Sequence, residues 1–113
     1  MEIVKLHAAD YYPLLDARQA PSLVIFTGPA CGACRRLKSI IAAMPPMLDG
    51  LVVFEVDAQV AGGLVEELEI FHLPALFLYA RGDYHAPVQA ELRAASLAEA
   101  VAAAAAGQRQ EPP

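Results

Sequence analysis

The sequence predicts an α/β domain with a central mixed β-sheet flanked by helices on both faces. Short β-branched and aromatic runs alternate with stretches of helical periodicity, so the early strands are joined by crossover helices and lie parallel. The last two strand segments follow one another through a turn signal, Arg81-Gly82-Asp83, which adds antiparallel pairing. At 113 residues, 57% hydrophobic and 19% charged, the chain suits one folded domain and is too short for two cores.

Glu2 to Leu6 (EIVKL) forms a short first strand. His7 to Ala20 reads as a helix, with Asp10 as N-cap, Pro13 in its first turn and Pro21 ending it. Ser22 to Thr27 (SLVIFT) is a continuous apolar run, the pattern of a central strand buried on both faces. Gly28-Pro29 breaks it, and a helix runs from Cys31 to about Met44. Leu37, Ile40, Ile41 and Met44 share its inner face, Arg35, Arg36, Lys38 and Ser39 face out, and Pro45-Pro46 stops it.

Leu51 to Val56 is the third strand, followed by a helix over about Ala58 to Glu69 with Val60, Leu64 and Leu68 inward. Gly62-Gly63 weakens that helix, since each interior glycine costs about 1 kcal/mol. Ala75 to Ala80 (ALFLYA) is a strand. The alternation of Val88, Ala90 and Leu92 with polar residues predicts another over Ala86 to Arg93, confined by Pro87 to a sheet edge. Ser96-Leu97-Ala98-Glu99 has the capping-box pattern and opens a helix to about Ala106. The domain therefore spans residues 1–107, and 108–113 form a flexible tail.

The formal charge of −5, from 8 basic and 13 acidic residues, offers no concentrated basic face for nucleic acid. Arg35, Arg36 and Lys38 read as local electrostatics beside the cysteines. The longest uncharged stretch, Gln19 to Cys34, is interrupted by Pro21, Gly28, Pro29 and Gly32 and cannot span a membrane as a helix. The start MEIVKLHAAD has neither a basic region nor an apolar run, so no signal peptide and a cytoplasmic location are expected.

The chemistry concentrates in CGAC, residues 31–34, which holds both cysteines of the chain. At the start of a helix, unpaired N–H groups and the helix dipole lower the pKa of the first thiol. Its thiolate attacks a partner disulfide, and a second thiol one turn deeper resolves the mixed disulfide. CxxC alone also fits zinc or iron–sulfur sites, but those need two further ligands. His7, His72 and His85 lie at no ligand spacing to the cysteines or to each other. Two buried structural cysteines are the other plain reading. The strand-to-helix setting favours redox chemistry, and His72-Leu73-Pro74 stands immediately before the strand ALFLYA.

On these residues the chain resembles the thioredoxin family over nearly its whole length. SLVIFTGPACGACRRL resembles the family's strand, active-site loop and helix, VVFEVDAQ the next strand, and IFHLPALFLYARGD the proline strand and turn. The resemblance implies a thioredoxin-like fold, with Cys31 as nucleophile and Cys34 as resolving thiol. It also implies a cis Pro74 with Leu73 presenting backbone to a substrate chain, and substrate contact at Ala30 and Gly32. It further implies protein disulfides as substrates, a reductase or small thiol as electron donor, a monomer or weak dimer, and no bound cofactor or metal.

Several positions depart from the family pattern. The CxxC interior is Gly-Ala where Gly-Pro is common, and Ala30 replaces a tryptophan. Ile25 stands where the family buries an aspartate, and Val53 where that acid has a lysine companion. The paired loss avoids a buried lone charge. It predicts slow turnover, with Asp57 as a weak substitute base. A competing reading from these losses is a binding or assembly module with little redox turnover. A glutathione-dependent glutaredoxin fits less well, since no cationic pocket for a tripeptide is visible. His72, Tyr11-Tyr12 and the glutamates at 66, 67 and 69 read as a loop residue, half-buried packing and a solvated helix face.

Overall fold

The computed structural model describes residues 1–113. Its elements run β1 (Ile3–Lys5), a short 3-10 turn (Ala8–Asp10), α1 (Tyr11–Ala17), β2 (Ser22–Thr27), α2 (Gly32–Ala43), β3 (Val52–Asp57), α3 (Gly62–Glu67), β4 (Ala75–Ala80), β5 (Asp83–Val88) and α4 (Ala94–Ala106). The five strands form one sheet in the order β1-β3-β2-β4-β5. β3 is parallel to both β1 and β2, while β4 is antiparallel to β2 and β5. This is the expected mixed sheet.

β2 explains the layering. All six of its residues are buried, and successive side chains point to opposite faces. Leu23 and Ile25 enter one core with Leu37 and Ile41 of α2, Leu97 and Val101 of α4, and Val53 and Leu78 of the sheet. Val24 and Phe26 enter the other with Tyr11 and Leu15 of α1, Leu64 of α3, and Phe77. The apolar run SLVIFT thus serves two cores, one per face. Tyr11 is wholly buried, not half-buried, and its hydroxyl meets that of Tyr79 at 2.9 Å.

The local departures from sequence periodicity have physical causes. α1 is only seven residues, because Ala8–Asp10 winds as a 3-10 turn; Asp10 flanks the helix without a side-chain cap bond. α3 begins at Gly62, since Asp57 Oδ1 accepts from the Gln59 N–H at 2.9 Å and turns the chain after β3. Val60 is consequently 76% exposed, and Ala61, Leu64 and Leu68 supply the inward face. β5 starts at Asp83 and ends at Val88, leaving Ala90–Arg93 outside the sheet. Arg81 and Gly82 both have positive φ and make the tight hairpin turn. A register shift at Leu78/Tyr79 leaves His85 as an extra residue, so Tyr84, His85 and Ala86 are buried in succession. β5 is an edge strand, and Pro87 is exposed on it. α4 begins at Ala94, two residues before the capping-box serine, and Arg93 flanks it without a cap bond. Two alanines carry the extension, being the strongest helix formers.

Lys38 is only partly exposed, where its polarity predicts a side chain facing solvent. Its Nζ lies 2.9 Å from Glu55 Oε2 on β3, and the same oxygen accepts from Thr27 Oγ1 at 2.7 Å. Burial opposes ionisation of Glu55, but the bonds from Thr27 and Lys38 and the charges of Lys38 and Lys5 outweigh it and hold the carboxyl below 4.5. After α4 the chain lies against β5: Gly107 O is 3.1 Å from His85 Nε2, Arg109 Nε donates to Tyr84 O at 3.0 Å, and the Gln110 N–H donates to His85 O at 2.7 Å.

Two outcomes follow. Gly82 has φ +81°, and a Cβ there would sit 2.6 Å from Asp16 O. Gly82→Ala should lose about 1–3 kcal/mol in urea unfolding, whereas Gly63→Ala, with open space around it, should gain about 0.4–1 kcal/mol. Glu55 has a folded pKa below its unfolded one, so its stabilisation is complete above about pH 4.5 and is lost as pH falls through the folded value. The stability–pH curve of Glu55→Gln should therefore be flatter than wild type below pH 4.5.

Candidate active site

β2 ends at Thr27, where Gly28-Pro29 turns the chain out of the sheet and Ala30 is exposed. Cys31 is the N-cap of α2, in extended conformation, and its sulfur accepts from the Cys34 N–H at 3.1 Å. A cap sulfur placed this way meets the helix's unpaired N–H groups, where negative charge is favoured. Cys31 is half-buried and Cys34 is 1% exposed. The two form a disulfide with Cα atoms 5.2 Å apart. Gly32, between them on the first turn, is exposed. The Arg35 guanidinium folds back toward it, 3.7 Å from where a Cβ on Gly32 would sit, and so brings positive charge to the first turn of α2.

The loop before β4 faces this helix end. The Leu73–Pro74 peptide is cis, and the Leu73 carbonyl oxygen lies 3.8 Å from Cys31 Sγ. A Cβ on Gly28 would sit 2.9 Å from Leu73 Cδ1, so glycine lets the two loops approach. A groove of about 640 Å³ opens beside them, walled by Phe71, Leu73, Pro74, Leu92 and Ile40. His72 is exposed on its rim. Cys31, Leu73 and the Gly28 turn are thus drawn together, with Gly32 on the helix start and Pro74 on the groove wall.

Ile25 and Val53 are both completely buried in the core shared with Leu37 and Ile41 of α2, so no charge sits at either position. Asp57 is exposed and its carboxylate caps the turn after β3. No group of three His, Cys, Asp or Glu residues is arranged to hold a metal, and no helix is long and apolar enough to cross a membrane. Sequence reasoning missed two features. Phe71 is 88% exposed beside Pro74, an unusual place for an unpartnered aromatic. The Thr27–Glu55–Lys38 group lies on the same face as α2; Glu55, two residues after inward-facing Val53, carried that signal in the strand's alternation.

The thioredoxin family model matches residues 2–103. Thioredoxin domain-containing protein 2 of Rattus norvegicus is 32% identical over 66 residues, covering 58% of this chain and 12% of that protein. The Mus musculus protein of the same name is 33% identical over 66 residues, and the match spans 13% of its length. The match thus spans only about an eighth of these two relatives. Among solved structures, mitochondrial thioredoxin 3 from Saccharomyces cerevisiae in its oxidized form superposes with a TM-score of 0.75 at 15% identity, covering 89% of this chain and 94% of that one. Chlamydomonas reinhardtii thioredoxin f2 gives 0.69 at 19%, covering 78% and 83%. The zinc-bound form of human ERp44 gives 0.73 at 19%, covering 90% and 31%. These likenesses establish the fold, and the family match runs almost from end to end: the chain belongs to the thioredoxin family.

Proposed function

We propose that this chain is a thiol–disulfide oxidoreductase that reduces disulfides in other proteins through a Cys31/Cys34 cycle. The observation that carries the reading is the asymmetry of the pair: Cys31 is accessible at the helix N-cap while Cys34 is buried one turn in. The Cys31 thiolate attacks one sulfur of the substrate disulfide, and the other sulfur leaves as a thiolate. The Cys34 thiolate then attacks Cys31 Sγ. The Cys31–Cys34 bond forms, the Cys31–substrate bond breaks, and the substrate departs as a dithiol carrying two electrons more. The substrate chain lies extended against the Leu73 backbone, with Pro74, Ala30 and Gly32 around the reacting sulfurs. A reductase or a small thiol returns the electrons, in the cytoplasm, with the protein acting as a monomer or weak dimer.

A second reading rests on Ile25 and Val53: with both positions apolar and buried, the chain is a binding or assembly module that turns over little. The double variant Cys31→Ser/Cys34→Ser separates the two, since a binding module keeps its function and an oxidoreductase loses it.

Titration of the pair in dithiothreitol or glutathione buffers, read by alkylation and mass, should give a reversible two-electron transition near the thioredoxin value of about −270 mV. An irreducible or unformable disulfide would end the redox reading. In insulin reduction, Cys31→Ser should be inactive, and Cys34→Ser should accumulate a mixed disulfide with the substrate on non-reducing gels. Absence of that adduct, with the adduct appearing on Cys31→Ser instead, would reverse the two roles.

A further inference from the structure

Of the two ion pairs in the chain, Arg93–Glu91 lies open on the surface, with side chains 68% and 77% exposed. The other does not. Glu55 is 12% exposed and Lys38 38%, and Thr27 completes the group with a hydrogen bond to the same carboxylate oxygen. Glu55 is the cross-strand partner of Ile25, which is buried against Leu37 and Ile41 of the cysteine helix. Thr27 ends the strand that leads into the Cys31 loop. Lys38 follows Cys34 by four residues on α2, so the two share one stripe of the helix with Cβ atoms about 5–6 Å apart. A helical side chain leans toward the N-terminus, so the Lys38 stem runs back toward the turn that holds Cys34.

A cavity of about 310 Å³ opens at this point, lined by Thr27, Pro29, Lys38, Glu55 and Asp57. Lys5 of β1 and His7 of the following loop are the other titratable groups around it. An ammonium held here by an ion pair stands one helical turn from a thiol that must ionise while 1% exposed, and Arg35, next to Cys34 in sequence, makes no ion pair of its own. Burial alone disfavours that thiolate.

We propose that the Lys38 ammonium, held by the positioning residues Glu55 and Thr27, stabilises the Cys34 thiolate from one helical turn away. This rests on the redox reading above for its purpose, not for its chemistry. In the resolving step the Cys34 S–H loses its proton to solvent, and the thiolate displaces the substrate sulfur from Cys31. That sulfur takes up the bonding pair and then a proton. Lys38 keeps its own proton throughout, and its contribution is charge.

The test follows the Cys34 thiol directly. Cysteine labelled with 13C at Cβ, in the Cys31→Ser background, gives a single resonance whose shift with pH reports ionisation free of coupling to a second thiol. Lys38→Met should raise the midpoint by about one unit, a tenfold loss of thiolate near neutral pH, and Lys38→Arg should restore most of it. Lys38→Met/Glu55→Gln removes the carboxylate that the single change leaves unpaired, and its midpoint should stay above that of the Cys31→Ser parent. An unmoved midpoint in Lys38→Met overturns the proposal. So does a return to the parent value in the double change, which would mean that the exposed Glu55 charge caused the whole shift. None of these readings requires turnover, so an inactive wild type would sink the redox reading while leaving the charge assignment to stand or fall separately.

Discussion

Burial of β2 on both faces is the constraint on which the rest of the molecule depends. A strand with no exposed residue forces a helical layer above and below it, and it fixes which neighbours can pair on each side. Because β2 sits between parallel β3 and antiparallel β4, its C-terminal end delivers the chain to the cysteine loop beside the residues that open β4. Cys31 and Leu73 are 42 positions apart in sequence, yet they meet because both loops spring from the same edge of two adjacent strands. A shift of β2 by one residue would exchange its two sets of side chains between the cores and carry the loop with it.

The same strand explains the electrostatic character of the site. Leu23 and Ile25 point at α2, and so does Val53 from β3, leaving the underside of the helix dry along its inner turns. Charge returns only at the last step of the sheet, where Glu55 and Thr27 approach Lys38. The chain therefore carries its ion pair at the margin of the core, where desolvation is partial and three polar partners satisfy one another. Arg35, curled over Gly32, adds positive charge from the outer side.

Much of this is legible in the sequence. β2 and β4 match their apolar runs residue for residue, because Gly28-Pro29 and Arg81-Gly82 punctuate them sharply. The cysteine pair is legible from spacing and setting, and the proline stretch that opposes it from the resemblance to the thioredoxin family. What escaped did so for definable reasons. Polarity put Lys38 in solvent, yet a lysine stem can cross half-buried ground to reach a carboxylate on the sheet. Periodicity put Val60 in the core, but the Asp57 turn takes that position out of the helix. The alternation from Val88 to Leu92 described a strand that the register shift at His85 had already displaced toward the N-terminus. A bulge is invisible to any pattern that assumes a strict period of two.

β5 is the outermost strand next to β4, and an uncovered strand edge invites pairing with another sheet. Here the carbonyls of Tyr84 and His85 are already engaged, by the Arg109 side chain and by the main chain of Gln110. Another molecule adding a strand at this position would have to strip away the residues that follow α4 and replace their bonds one for one. The chain's own C-terminal segment thus acts as a selvedge on the fabric of the sheet, keeping this border from being extended while the opposite end of the sheet, at β1, stays bare.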